Sequence, residues 1–321
     1  TLHSRGVTLV VTVDWGSTDH EPIQLARELG MDIIITDHHK LPDIPPDAKV
    51  ILNPKGHEEN SELADLAGVG VAFYLATAIR AHFRSKGRWT SSEQPNLKKY
   101  LDLVALGTLA DMVPLTGTNR ILASIGLSEL SRTPRFGLRA LKETCGLGGG
   151  KIGNWDVLFR LGPRLNAPGR LGSGDPALRL LLTTESAEAQ KLAQQLEELN
   201  RQRQSVEDQL LAEALSLIET NKDHEQSSSL VLASPGWHKG VLGLVASRLT
   251  ERFNKPTILL TLVDELWEGS GRSVGNFDLY QALAQCRDHL VRFGGHRLAA
   301  GLGLTQSQLA GFSPAFEEVV K

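Results

Sequence analysis

The amino-acid sequence predicts a two-domain α/β protein, a parallel-sheet domain joined by a long helix to a smaller α/β domain. Three observations carry that reading. At 321 residues the chain exceeds the ~100–200 residues of one average domain. Its first 52 residues alternate buried-strand and helix patterns. Residues 185–220 hold one apolar helical stripe, free of Gly and Pro, and a second α/β pattern follows it.

In chain order, residues 7–14 (VTLVVTVD) form a near-continuous β-branched run, as expected of a strand buried on both faces. Residues 20–30 place Ile23, Ala26 and Leu29 at helical spacing, with Gly30 as the stop. Residues 31–36 and 49–52 read as the next two strands. Strand, helix and strand at this spacing make a parallel βαβ unit. Helices are expected at 63–83, 97–110, 119–130, 136–144 and 175–182, the last opened by Asp175-Pro176. The stripe over 185–220 runs through Leu192, Leu196, Leu199, Val206, Leu210 and Ile218. Its helix would be ~54 Å long, more than one small domain needs, and it reads as a connector. A polar stretch, 221–229, ends it. Strand 229–233, helix 240–253, strands 257–262 and 266–273, and helix 278–291 complete the pattern. The expected division is therefore 1–184, a linker at 185–222, and 223–321.

Composition narrows the function classes. With 41% hydrophobic and 22% charged residues the chain can bury ordinary cores, which excludes a disordered tail, a collagen and a coiled coil. The longest uncharged hydrophobic-rich stretch, 66–79, is too short to span a bilayer core of ~30 Å. No apolar run opens the chain as a secretory signal would. Cys145 and Cys286 form no CxxC, which argues against a disulfide framework or cysteine-ligated zinc and suits a cytoplasmic setting. The net charge of −3 does not advertise a nucleic-acid binder. Residues 1–182 carry 21 basic and 19 acidic side chains, and 183–321 carry 13 and 18, so a polyanion site would be a local pocket. The chain opens at Thr1 without an initiator methionine and reads as a fragment or processed product.

Asp14 closes the first strand and Asp37-His38-His39 the second. Side chains just past the carboxyl ends of neighbouring parallel strands converge on one crevice. Carboxylate plus imidazole suits Mn, Fe or Zn better than Mg alone. Asp111 ends an apolar helix in LVALGTLADMVPL, where a nearby cation would offset its unfavourable place against the helix dipole. Residues 157–174 carry Arg160, Arg164 and Arg170 without an acid at or between them, in a Gly- and Pro-rich stretch that reads either as a shaped phosphate-binding loop or, equally, as a surface loop of solvated arginines. A second basic run, Arg80, Arg84, Lys86, Arg88, Lys98 and Lys99, reads as a solvated helix end. Ser270 and Arg272 in EGSGRS, and His296 in GGHRLAAG, sit among glycines that would let backbone approach an anion, although Gly294 and Gly295 could equally cap helix 278–291. Trp237-His238-Lys239-Gly240 precedes a helix start, another place that favours anions. Gly68-Val-Gly70 lacks the third glycine and preceding strand of a dinucleotide fingerprint.

In order and spacing these residues resemble the DHH phosphoesterase superfamily and, within it, the RecJ single-strand-specific exonucleases. TVDWG (12–16), TDHH (36–39), ALGTLADMVPL with Asn119-Arg120, GPRLNAPGRLG (162–172), GWHKGVLGLVASRL (236–249), GSGRS (269–273) and GGHRLAAG (294–301) carry the likeness over essentially the whole chain. The resemblance implies a parallel-sheet DHH domain, a linker helix and a DHH-associated C-terminal domain. It also implies a two-metal site, normally Mn2+ with Mg2+ as the alternative, that hydrolyses phosphodiester bonds from the 5′ end of single-stranded DNA in repair and recombination. Asp14, His38 and Asp111 would be metal ligands and Asp37 their support. His39 would contact the scissile phosphate, and Arg170, Ser270, Arg272 and His296 would hold the terminal phosphate. A single-strand-binding protein or a helicase would be a partner.

Three other readings compete. A DHH oligoribonuclease or cyclic-dinucleotide phosphodiesterase shares the catalytic motifs but fits the NAPGRLG loop and long linker less well. A non-catalytic DHH scaffold is opposed by the retained Asp14, His38 and Asp111. An accessory domain like that of alanyl-tRNA synthetase explains only the C-terminal part. Trp15 departs from the small or polar residue expected after Asp14. The family's first Asp-rich motif would lie upstream of Val7 and is not in the sequence. Residues 1–321 alone are therefore expected to show little nuclease activity, and Mn2+-dependent degradation of 5′-phosphorylated single-stranded DNA by them would overturn that expectation.

Overall fold

The computed structural model describes residues 2–56, 62–90, 92–220 and 226–321. It falls into two compact units, Thr1–Pro163 with Leu180–Ala193, and Arg164–Arg179 with Gln194–Lys321.

In the first unit, β1 (Leu9–Val13), β2 (Asp32–Thr36) and β3 (Val50–Leu52) form a parallel sheet in that order. Helix α1 (His20–Glu28) lies between β1 and β2 in sequence. Its Ile23 and Ala26 pack on Met31, Ile33 and Ile35, which makes β2 the buried centre of the sheet. Next come α2 (Gly68–Ser85), α3 (Leu101–Ala110), α4 (Gly117–Ser131) and α5 (Phe136–Thr144). Helix α3 is almost wholly apolar around its circumference, as a largely buried helix is. Leu101 and Val104 share a core with Leu66 and Val71 on one side and Leu122 on the other. Its one acid, Asp102, is 1% exposed. It accepts from Thr133 Oγ1 at 2.7 Å and Arg135 Nε at 3.1 Å, which fixes the helix that ends at Asp111.

A helical turn (Asn154–Asp156) and a π-helical segment (Val157–Leu161) lead into α6 (Gly162–Leu171), then α7 (Asp175–Leu182) and the 35-residue α8 (Ser186–Thr220). The second unit's sheet has the order β4 (Leu230–Ala233), β5 (Thr257–Val263), β6 (Leu266–Arg272), β8 (Ala299–Thr305), β7 (Arg292–Gly295). Only β4–β5 is parallel. Alternate residues of β5 serve opposite cores. Leu259 joins α8 and α9 (Leu242–Phe253), while Ile258 and Leu260 join α10 (Leu279–Gln285) and α11 (Gln306–Val320).

Three sequence expectations need correction. β1, expected to be buried on both faces, is an edge strand that exposes Leu9, Val11 and Val13. The arginine-bearing segment is largely helix and not a loop. Pro163 follows directly on the π-helical segment, whose wider turn leaves the Gly162 amide bonded to the Val157 carbonyl, and buried Ala167 packs the helix despite Pro168. The helix expected at 278–291 stops at Gln285, and Gly294 and Gly295 are strand residues of β7 paired with Gly301 and Ala300, not a helix cap. A side chain on Gly295 would put its Cβ 2.4 Å from the Ala299 carbonyl oxygen, so the β7–β8 turn needs glycine there. The part of the polar stretch from 221 to 225 lies outside the described residues. Among the described residues no helix is long and apolar enough to cross a membrane.

Asp102→Ala leaves Thr133 and the Arg135 guanidinium without their buried acceptor. It should lower unfolding free energy by about 3 kcal/mol in urea denaturation; a change within about 0.5 kcal/mol would mean α3 is held by apolar packing alone.

Candidate metal centre and anion pocket

Parallel register puts three polar residues on one edge of the first sheet. Val13 pairs with Thr36 and Thr36 with Leu52, so Asp14, Asp37 and Asn53 leave β1, β2 and β3 side by side. The Asp14 amide donates to the Thr36 carbonyl at 2.9 Å, after which the chain turns through a left-handed Asp14 (φ 65°). Thr12 Oγ1 clamps that turn by donating to the Trp15 carbonyl at 2.6 Å. Strain of this kind at a non-glycine residue concentrates at functional sites.

Asp37 organises the next turn. Its buried carboxylate accepts from the Ser17 amide at 3.0 Å, the His38 amide at 2.8 Å, the His39 amide at 3.2 Å and His39 Nδ1 at 2.8 Å. Burial alone would raise its pKa, but the bonds from Ser17 and His39 outweigh it and hold the group well below the usual carboxylate range. Asn53 completes the frame, donating to Ser17 Oγ at 3.0 Å and to the His39 carbonyl at 2.9 Å.

His38 is buried and points the other way. Its Nε2 lies 3.0 Å from Asp14 Oδ1 and 3.5 Å from Asp111 Oδ2, yet it makes no aligned hydrogen bond to either. The Asp14 carboxylate raises the His38 pKa against the opposing effect of burial, and Asp111 adds to the rise. Asp111 closes α3 at its C-cap, followed by left-handed Met112 (φ 59°). Burial, then the nearby Asp14 charge, push its pKa up against the pull of His38. Asp14, His38 and His39 offer ligand atoms within 4.8 Å of one another. A buried imidazole nitrogen without a hydrogen bond, facing two carboxylates, is the donor set a divalent transition ion takes. The residues fit such an ion.

Gly68 sets this spacing. It opens α2 against Asp14, and a Cβ there would lie 2.2 Å from Asp14 Oδ1. The amide end of α2 also favours the carboxylate it faces. Behind the site, Asn119 Nδ2 donates to the Asp65 and Pro114 carbonyls at 2.6 and 3.0 Å, tying down the chain after Asp111.

The second unit gathers Arg170, Ser270 and Arg272. Arg170 Nη1 donates to the Gly240 carbonyl at 3.4 Å, and Arg272 Nη1 donates to Ser270 Oγ at 3.1 Å. Gly240 and Gly243 allow the close approach: a Cβ on the first would sit 1.8 Å from the Arg170 carbonyl oxygen, and on the second 2.6 Å from Arg272 Nη2. Burial lowers the pKa of both guanidiniums, and Arg170 lowers that of Arg272 further. Two half-buried cations at the start of α9 describe a pocket for an anion. Of the other arginines expected to serve phosphate, Arg164 pairs with Glu197 and Arg160 lies 3.6 Å from Asp156. His296 is exposed at the β7–β8 turn, outside these contacts.

Comparison with known proteins places this geometry. Residues 2–108 match the DHH family, N-terminal domain, and residues 226–321 the DHHA1 domain. The single-stranded-DNA-specific exonuclease RecJ of Bacillus subtilis is 40% identical over 323 residues, which is 99% of this chain and 39% of that protein. A crystal structure of exonuclease RecJ bound to manganese superposes with a TM-score of 0.79 at 34% identity, covering 99% of this chain and 77% of that one. The chain belongs to the RecJ family. RecJ from Thermus thermophilus in complex with Mn2+ superposes with a TM-score of 0.86 at 35% identity, over 99% of this chain and 45% of that one. The chain spans roughly two to three fifths of the length of the curated RecJ relatives it matches.

For this RecJ-family chain, the structure draws Asp14, His38, His39, Asp37 and Asp111 together in one unit and Arg170, Ser270 and Arg272 in the other. Sequence reasoning missed Ser17, Asn53 and Gly68. Asn53 was findable, since it follows the third parallel strand as Asp14 and Asp37 follow the first two. Gly68→Ala should displace the Asp14 carboxylate from His38. In the metal-free chain the His38 imidazole, followed by NMR titration, should then move down toward the ordinary histidine value of about 6.5; an unmoved titration would show that Asp14 does not govern it.

Proposed function

We propose that the protein carrying this chain is a metal-dependent phosphodiesterase that removes 5′-mononucleotides from single-stranded DNA in the 5′→3′ direction. The observation that carries this reading is the buried His38 Nε2, which has no hydrogen bond and stands between Asp14 and Asp111. Asp14, His38 and Asp111 would hold Mn2+, with Mg2+ as the alternative, the ions named for the related RecJ structures. When bound, a pair of divalent ions would supply an activated water and charge stabilisation for the leaving oxygen.

The chain's own residues divide the remaining work. Asp37, ionised and fully bonded, holds both histidines in place, and its contact with His39 Nδ1 orients that ring toward the scissile phosphate. Arg170, Ser270 and Arg272, with His296, would take the 5′-terminal phosphate, whose capture selects the bond that is cut. Residues 1–184 would act as the metal-bearing domain, 185–222 as the linker and 223–321 as the substrate domain. Cys145 and Cys286, both buried and neither in a disulfide, suit a cytoplasmic enzyme, and a single-strand-binding protein or a helicase fits as partner.

Calorimetric titration of the chain with Mn2+ tests the centre. His38→Ala and Asp14→Asn should each weaken binding at least about a hundredfold, beyond the usual cost of losing a supporting residue. In the whole protein, the same substitutions and chelation should abolish mononucleotide release from 5′-phosphorylated single strands. Metal binding that survives His38→Ala would sink the assignment.

A further inference from the structure

The C-terminal end of α2 carries charge that the metal centre does not use. Arg80, Arg84, Lys86 and Arg88 fall within nine residues that contain no acid. Cations at a helix end ordinarily serve its last carbonyls. Here the backbone already does so: the Lys86, Gly87 and Arg88 amides donate to the His82, Arg84 and Phe83 carbonyls at 3.1, 3.0 and 3.0 Å. Ser85 Oγ adds a bond to the His82 carbonyl at 2.8 Å.

Among the described residues no acid lies within ion-pair distance of Arg84, Lys86 or Arg88, all of them exposed. The nearest acid in sequence, Glu93, is engaged by the Thr90 amide and hydroxyl at 3.1 and 2.7 Å. Aromatic rings stand among these cations. Phe83, 36% exposed, meets Trp89 edge-on with centroids 5.4 Å apart, and the Arg88 guanidinium lies 5.8 Å from the Phe83 centroid. Cations without an acid partner, interleaved with one exposed and one half-buried ring, are what single-stranded nucleic acid binds, phosphates on the charges and bases on the rings.

Position favours a strand over an acidic protein segment. The other end of the same helix is Gly68, packed against Asp14. Eighteen residues at 1.5 Å each separate the two ends by about 27 Å. A strand of several nucleotides engaged at the carboxylate–histidine cluster can reach the far end of α2.

We infer that Phe83, Arg84, Lys86, Arg88 and Trp89 form a second binding site for single-stranded DNA, about 27 Å along α2 from the metal centre. This rests on the single-strand reading above. The site adds affinity for long strands and none for short ones.

The test measures binding of 5′-phosphorylated, phosphorothioate oligothymidylates to the chain with Mn2+, one a trinucleotide and one of twenty nucleotides. R84Q/K86Q/R88Q should weaken the long strand at least about tenfold and reduce its salt slope by about two, while the trinucleotide changes by less than about twofold. W89A should cost the long strand about fivefold. Unchanged long-strand affinity, or equal loss on both lengths, overturns the inference. So does a loss confined to a penta-aspartate peptide, which would mark a protein-docking surface. If the wild-type chain binds neither oligonucleotide, the functional reading itself fails, a result separable from failure of the variant alone. As a check independent of variant folding, 5-iodouracil placed at internal positions should crosslink to residues 80–90 of the wild-type chain; crosslinks only elsewhere overturn the site.

Discussion

The carboxylate of Asp37 is the constraint on which the first unit's chemistry depends. It collects two backbone amides from its own turn, one from the Ser17 segment and one imidazole N–H. Few other groups could do this, because only an ionised carboxylate offers that many acceptor sites within one side chain. The effect is to weld the ends of β1 and β2 into a single rigid frame. His38 and His39 then leave that frame in different directions, one toward Asp14 and Asp111 and the other back to Asp37. Asn53 extends the frame to β3 by bonding Ser17 and His39 together.

Much of this could be read before any coordinates. Strand ends 14 and 37, the terminus of α3 at 111 and the long helix over 186–220 all sit where periodicity placed them, because each is marked by an uninterrupted apolar pattern. The C-terminal sheet was harder. β8 reads AAGLGLT, small residues with little β-branched character, and β7 starts immediately after the segment read as a helix over 278–291. Pairing with β6 supplies the order that local preference lacks. The 162–171 helix escaped notice for the opposite reason: its glycines and prolines suggest a loop, and tertiary packing overrides them.

The two units use charge in contrasting ways. In the first, acids and histidines face one another and the surplus is negative, which calls for a cation. In the second, burial weakens the hold of Arg170 and Arg272 on their protons and Arg170 weakens that of Arg272 further, which calls for an anion. Both clusters are kept together by missing side chains: Gly68 lets the backbone of α2 approach Asp14, and Gly240 does the same for Arg170. Fold and site are thus specified together, since added bulk at either glycine would spoil function and packing at once.

The left-handed backbone at position 14 has a practical outcome for mutational design. Of the uncharged replacements other than glycine, asparagine tolerates that conformation best and alanine is strained by it. Loss of function after an alanine exchange would therefore mix altered chemistry with a shifted loop, whereas the amide isolates the chemistry. The same bias narrows what drift can offer at this locus: the residue types that keep the turn cheaply are Asp, Asn and Gly, and of these only one carries a negative charge.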